Sequence, residues 1–140
     1  MNLVEAEKIA NNLIDTFIFS GNVSINLRNK GLEKKIKSDN TPVSNGDIEV
    51  NNLLTKKITE LTPNIKIVSE ENLINKDNKN LKDFWLIDPI DGTYDYINHG
   101  DEFTINAALI INKNPELGII NAPAKKRLFY SYNMNNSYEE

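Results

Sequence analysis

A chain of 140 residues with 39% hydrophobic content fits one domain with a real core. Its formal net charge of −4 argues against a nucleic-acid-binding surface, which would be basic. No cysteine is present, which excludes disulfides and thiolate metal sites, and the single histidine, His99, argues against a histidine-based zinc site. Any metal would then be held by oxygens, which points to Mg2+, Mn2+ or Ca2+.

The opening "MNLVEAEKIANNLIDTF" is acidic and amphipathic, without the basic and apolar regions of a signal peptide. No apolar run approaches membrane-spanning length, so a cytoplasmic protein is the expectation. Ala6, Ile9, Ala10, Leu13, Ile14, Phe17 and Ile18 recur at helical spacing, which predicts a helix over residues 3–20 or a little beyond, with Gly21 as its interruption. Ser44 with Asp47 three residues later reads as a capping box opening a second helix, and Pro63 bars its continuation.

"IKIVS" at 65–69 is short and β-branched, and so predicts a strand. The segment at 72–83, "NLINKDNKNLKD", reads as a solvated loop. "FWLI" at 84–87 predicts a strand apolar on both faces and central in its sheet. A short helical turn is expected over Thr93–Asn98, then strands at 102–111, 116–123 and 127–132. Two helices, two strands and a strand meander make an α+β arrangement.

The stretch "WLIDPIDGTYDY" at 85–96 carries the chemistry. In a regular strand Asp88 and Asp91 would fall on opposite faces. Pro89 cannot donate to a ladder, so the strand is expected to end there. The bend lets both carboxylates, and the Ile90 carbonyl between them, face one point. Gly92 tolerates unusual backbone angles, and a helix starting near Thr93 would offer free N–H groups to an anion. Cation ligands beside a phosphate cradle suit metal-assisted phosphoryl chemistry. Taken alone, the stretch reads equally well as a surface turn.

Glu70 and Glu71 follow the 65–69 strand and by themselves mark only a solvated loop start. If that strand neighbours 84–87, a glutamate and two aspartates meet at adjacent strand ends, where ligand sites collect. Three carboxylates in one place repel unless a cation is present. Asp47 is accounted for by the helix cap and dipole alone.

In order, "KSDNTPVSNGD", "VSEEN", "WLIDPIDGT" and "EFTINAALI" resemble the inositol monophosphatase family of lithium-sensitive, Mg2+-dependent phosphomonoesterases. "SEEN" and "EFTINAALI" look more like its 3'(2'),5'-bisphosphate nucleotidase branch. The resemblance runs over nearly the whole chain and implies a sugar-phosphatase-type fold: residues 1–140 as its N-terminal metal-binding α+β domain, two helices on a mostly antiparallel sheet. It implies Glu70, Asp88, the Ile90 carbonyl and Asp91 as metal ligands for Mg2+, with Mn2+ as the alternative. Glu70 and Thr93 would orient the attacking water, Asp47 would support Thr93, and Asp91, Gly92 and Thr93 would hold the phosphate. Glu71 would support from behind.

Two departures stand out. Gly46 replaces the family's usual alanine. The family's second α/β domain, with its "WD" aspartate, has no counterpart here, since Trp85 is the sole tryptophan. The expected activity is hydrolysis of a small phosphate monoester, an inositol monophosphate or a bisphosphate nucleotide, incomplete in this chain alone, with no nucleic-acid polymer or membrane as partner. The alternative is a non-catalytic remnant, or one half of a split enzyme. An uncovered sheet would favour self-association or a complementary C-terminal fragment. The haloacid-dehalogenase motif D-x-D-G-T does not fit, because two residues separate Asp88 from Asp91.

Overall fold

The computed structural model describes residues 1–69, 80–133 and 136–140. Helix α1 spans Leu3–Lys30 and α2 Asn45–Leu61. A two-stranded ribbon, β1 (Lys34–Ile36) and β2 (Pro42–Ser44), leads into α2. The main sheet has six strands in sequence order: β3 (Lys66–Ser69), β4 (Phe84–Asp91), β5 (Thr104–Ile111), β6 (Asn114–Ala122), β7 (Arg127–Tyr132) and β8 (Ser137–Glu139). β3 and β4 run parallel and the other pairs are antiparallel. A short helix, α3 (Thr93–Ile97), follows β4. No described helix is long and apolar enough to cross a membrane.

Helices α1 and α2 pack on one face of the sheet. Their apolar stripes, Ala6, Ala10, Leu13 and Phe17 on α1 and Val50, Leu54 and Ile58 on α2, meet Trp85, Ile87, Ile105, Leu109 and Ile119. Each fully buried Val, Leu, Ile or Phe among them contributes about 1.5–3 kcal/mol of transfer free energy. Trp85 also donates its indole N–H to Thr62 Oγ1 at 3.0 Å, which satisfies its one buried donor.

Three local expectations give way to tertiary context. The first helix does not stop at Gly21. A Cβ there would lie 2.5 Å from Asn121 Nδ2 and 3.1 Å from Pro123, so glycine is what lets α1 pass close to the end of β6. The helix continues to Lys30 and is capped at Gly31 (φ 101°). Nor does the strand end at Pro89: β4 runs on to Asp91, with its register against β5 shifted between Asp88 and Asp91. An irregularity is where a proline without an N–H can sit in a strand. Thirdly, "FWLI" is central as expected, between β3 and β5, but covered on one side only. Trp85 is 0% exposed and its neighbour Leu86 49%. The ribbon β1–β2 and the edge strand β8 went unread, each only three residues long.

Candidate functional site

The second helix begins as the sequence predicts. The Ser44 side chain accepts from Asp47 N, and Asp47 Oδ2 accepts from Ser44 N at 2.9 Å and from Ser44 Oγ at 2.6 Å. The cap leaves the other oxygen available, and Oδ1 accepts from Thr93 Oγ1 at 2.9 Å. The buried Asp47 therefore joins the start of α2 to the start of α3. The Thr93 hydroxyl also lies 3.2 Å from the Ile90 carbonyl. It has one proton, and the shorter contact to a carboxylate is the stronger acceptor.

Gly92 precedes α3 in the left-handed region, φ 84° and ψ 43°. A Cβ there would meet the Glu102 carbonyl at 3.0 Å, so both conformation and space favour glycine. The first bond of α3 runs from Tyr96 N to Gly92 O at 2.9 Å. The N–H groups of residues 93–95 thus have no acceptor within the helix.

Asp88 is half-buried and Asp91 exposed, and both line one groove on the sheet face away from the helices. The groove, of about 590 Å3, is roomy enough for a small molecule. The condition on which a glutamate and two aspartates would meet holds for the strands themselves: β3 lies beside β4 in parallel, with its last residue, Ser69, opposite Ile87, one position before Asp88. Glu70 and Glu71, the expected glutamates, lie outside the described residues, as does most of the expected 72–83 loop. Among the described residues no group of three or more histidine or acidic side chains gathers. The oxygens in the groove are the carboxylates of Asp88 and Asp91, hard donors suited to Mg2+ or Mn2+, while the Ile90 carbonyl is placed only by its contact with the Thr93 hydroxyl.

Two supports of this site escaped the sequence reading. Arg28, in the last turn of α1, is buried. It donates from Nη1 to the Gly100 carbonyl at 2.5 Å and to the Tyr96 carbonyl at 3.3 Å, with its guanidinium 5.0 Å from the Phe103 ring centre. A cation at the C-terminal end of α3 complements the carbonyls there. The second support is Tyr96, whose hydroxyl donates to the Ser24 carbonyl at 2.6 Å. Burial, reinforced by the nearby Asp47 charge and opposed by Arg28, pushes this hydroxyl well above the usual tyrosine range. It therefore stays a donor at any working pH. Its ring lies against Gly46, where an added Cβ would collide with the phenol. The only signal for Arg28 was a helix longer than its apolar stripe announced.

The sequence profile of the inositol monophosphatase family matches residues 4–139, and the chain belongs to that family. It is 40% identical over 104 residues to the 3'(2'),5'-bisphosphate nucleotidase CysQ of Haemophilus influenzae, covering 73% of this chain and 39% of that protein. The CysQ of Buchnera aphidicola is 36% identical over 112 residues, 79% of this chain and 42% of the relative. The chain thus spans less than half the length of these curated relatives. Among solved structures, CysQ from Bacteroides thetaiotaomicron superposes with a TM-score of 0.71 at 25% identity, over 99% of this chain and 51% of that one. An IMPase/NADP phosphatase complexed with Mg2+ and phosphate superposes with a TM-score of 0.84 at 18% identity, over 96% and 51% of the two chains; this likeness shows the fold. The α+β arrangement of helices on a mostly antiparallel sheet is the one these structures share over about half their length.

Proposed function

We propose that this chain carries the metal- and phosphate-binding part of a Mg2+-dependent phosphate monoester hydrolase. The observation that carries the reading is the Asp47–Thr93 hydrogen bond, set between Gly92 in its left-handed conformation and the acids of β4. Asp88, Asp91 and the Ile90 carbonyl would hold the cation, Mg2+ or Mn2+, with Glu70 as a further ligand. The bound cation would supply charge neutralisation at the phosphate and a lowered pKa for its water.

This chain's own residues do the rest. Thr93 donates its proton in the hydrogen bond to Asp47, so its oxygen keeps lone pairs with which it would accept a hydrogen bond from, and so orient, the attacking water, together with Glu70. The N–H groups that open α3, with Gly92 allowing close approach, would cradle the phosphate oxygens. A small phosphorylated substrate is implied, and 34–40% identity to bisphosphate nucleotidases favours a 3'(2'),5'-bisphosphate nucleotide over an inositol monophosphate.

The test is phosphate release from 3'-phosphoadenosine 5'-phosphate and from inositol 1-phosphate, with and without Mg2+, on the 140-residue chain and on D88N. Mn2+ binding that D88N loses is the expected result, with any Mg2+-dependent release lost alongside it; Mn2+ bound equally by wild type and D88N would overturn the reading. Mn2+ binding by the wild type with no release from either ester would overturn the hydrolase for this chain and leave a non-catalytic metal-binding module.

A further inference from the structure

Strand β5 sends Ile105 and Ala107 into the core and Asn106 to the opposite face. There Asn106 stands between two cross-strand neighbours, Asp88 on β4 and Ile120 on β6. It borders the acidic end and the apolar floor of the same groove. Its Oδ1 is shielded from solvent, yet it accepts no hydrogen bond among the described residues. A buried carbonyl oxygen without a donor is destabilising, so its retention needs an explanation. The neighbour directly opposite, Asp88, bears a carboxylate. As an ion it too can only accept, and it cannot satisfy another acceptor. Two oxygens side by side at the edge of a groove suit a hydrated divalent cation, which binds through carboxylate and amide oxygens alike.

We propose that Asn106 is a positioning residue of the cation site, its Oδ1 facing the hydrated ion held at Asp88 and Asp91 from the neighbouring strand. The assignment rests on the cation site proposed above. It explains why an amide, rather than another aliphatic side chain, stands beside Leu86, Ala108 and Ile120 on this face.

Mn2+ titrated into the chain and followed by the loss of its free electron-paramagnetic-resonance signal reads the site without any catalysis. Wild type, N106L and N106D are compared, each also melted in EDTA. N106L is expected to melt no lower than wild type in EDTA, because it removes an unsatisfied oxygen that stands beside another acceptor, Asp88. Its Mn2+ affinity should fall roughly 10-fold or more, as when partners around a metal's direct ligands are lost. N106D, which keeps an oxygen in place, should hold within a few-fold of wild type. N106L binding Mn2+ as tightly as wild type overturns the assignment while the cation site stands. So does an N106L that melts lower in EDTA with unchanged affinity, since that marks a plain structural amide. Absence of Mn2+ binding by the wild type overturns the cation site itself, and this role with it. If N106L does not fold, N106A is judged by the same criteria.

Discussion

The six-stranded sheet has two faces built from alternate residues of the same strands, and they could hardly differ more. Trp85, Ile87, Ile105 and Ile119 point at the helices and are buried. Leu86 and Ile120, their immediate neighbours in sequence, point the other way and are 49% and 46% exposed. The covered face holds the core. The open face holds Asp88, Asn106 and an apolar floor beside them. Fold stability and candidate chemistry are thus separated by the two-residue repeat of a strand.

The sharpest way to break this comparison is at the Trp85–Leu86 pair. Trp85→Ala should cost roughly 3–5 kcal/mol in denaturant unfolding, by cavity formation and loss of its bond to Thr62. Leu86→Ala should cost under about 1 kcal/mol, as surface changes do. Equal costs would mean that the open face is not open in solution.

Next comes Gly46, on the covered side. Helix propensity alone makes Gly46→Ala stabilising by up to about 1 kcal/mol. The Tyr96 ring occupies the place of that methyl group, so overpacking by about 1–3 kcal/mol should reverse the sign. A raised melting temperature for G46A would show that Tyr96 moves freely. A lowered one, with weaker Mn2+ binding, would tie Tyr96 to the placement of α3.

The open face itself should make the chain associate at high concentration, through Leu86, Ile120 and Phe129. Sedimentation should show concentration-dependent association that Ile120→Lys weakens. A wild-type monomer at all concentrations would remove this expectation.

The smallest effect is at the edge strand. Arg127 holds Glu139 through two hydrogen bonds, at 2.7 and 3.2 Å, and draws its carboxyl below the ordinary value of 4.5. A depressed folded pKa gives stability that is present above 4.5 and lost as pH falls through the folded value. The pair is solvent-exposed, so the contribution is slight. Amide exchange in β8 should quicken below pH 4.5 relative to the core strands, and Glu139→Gln should erase that difference.

Much of the fold was legible because its signals are local. The Ser44–Asp47 box needs only residues three apart, and it opens α2 as read. The apolar stripe of α1 was legible too, but its end was not, because propensity makes Gly21 an interruption while Asn121 and Pro123, a hundred residues on, decide its packing. Pro89 by its own chemistry breaks a strand, yet the irregularity in β4 accommodates it. Asp88 and Asp91 could be suspected from their spacing, whereas Asn106 looked like one more residue of a meander strand.

By itself, then, the sequence determined the order and type of the longer elements, the cap that orients Asp47, the pair of acids at the end of β4 and membership of the inositol monophosphatase family. These depend on neighbours along the chain or on motifs kept in order. The tertiary structure alone decided which face of each strand is covered, that Tyr96 fills the space beside Gly46, and that Asn106 faces Asp88. The reason is register: one residue of slip in a strand exchanges its two faces, and no local rule in the chain states which neighbour a strand will meet.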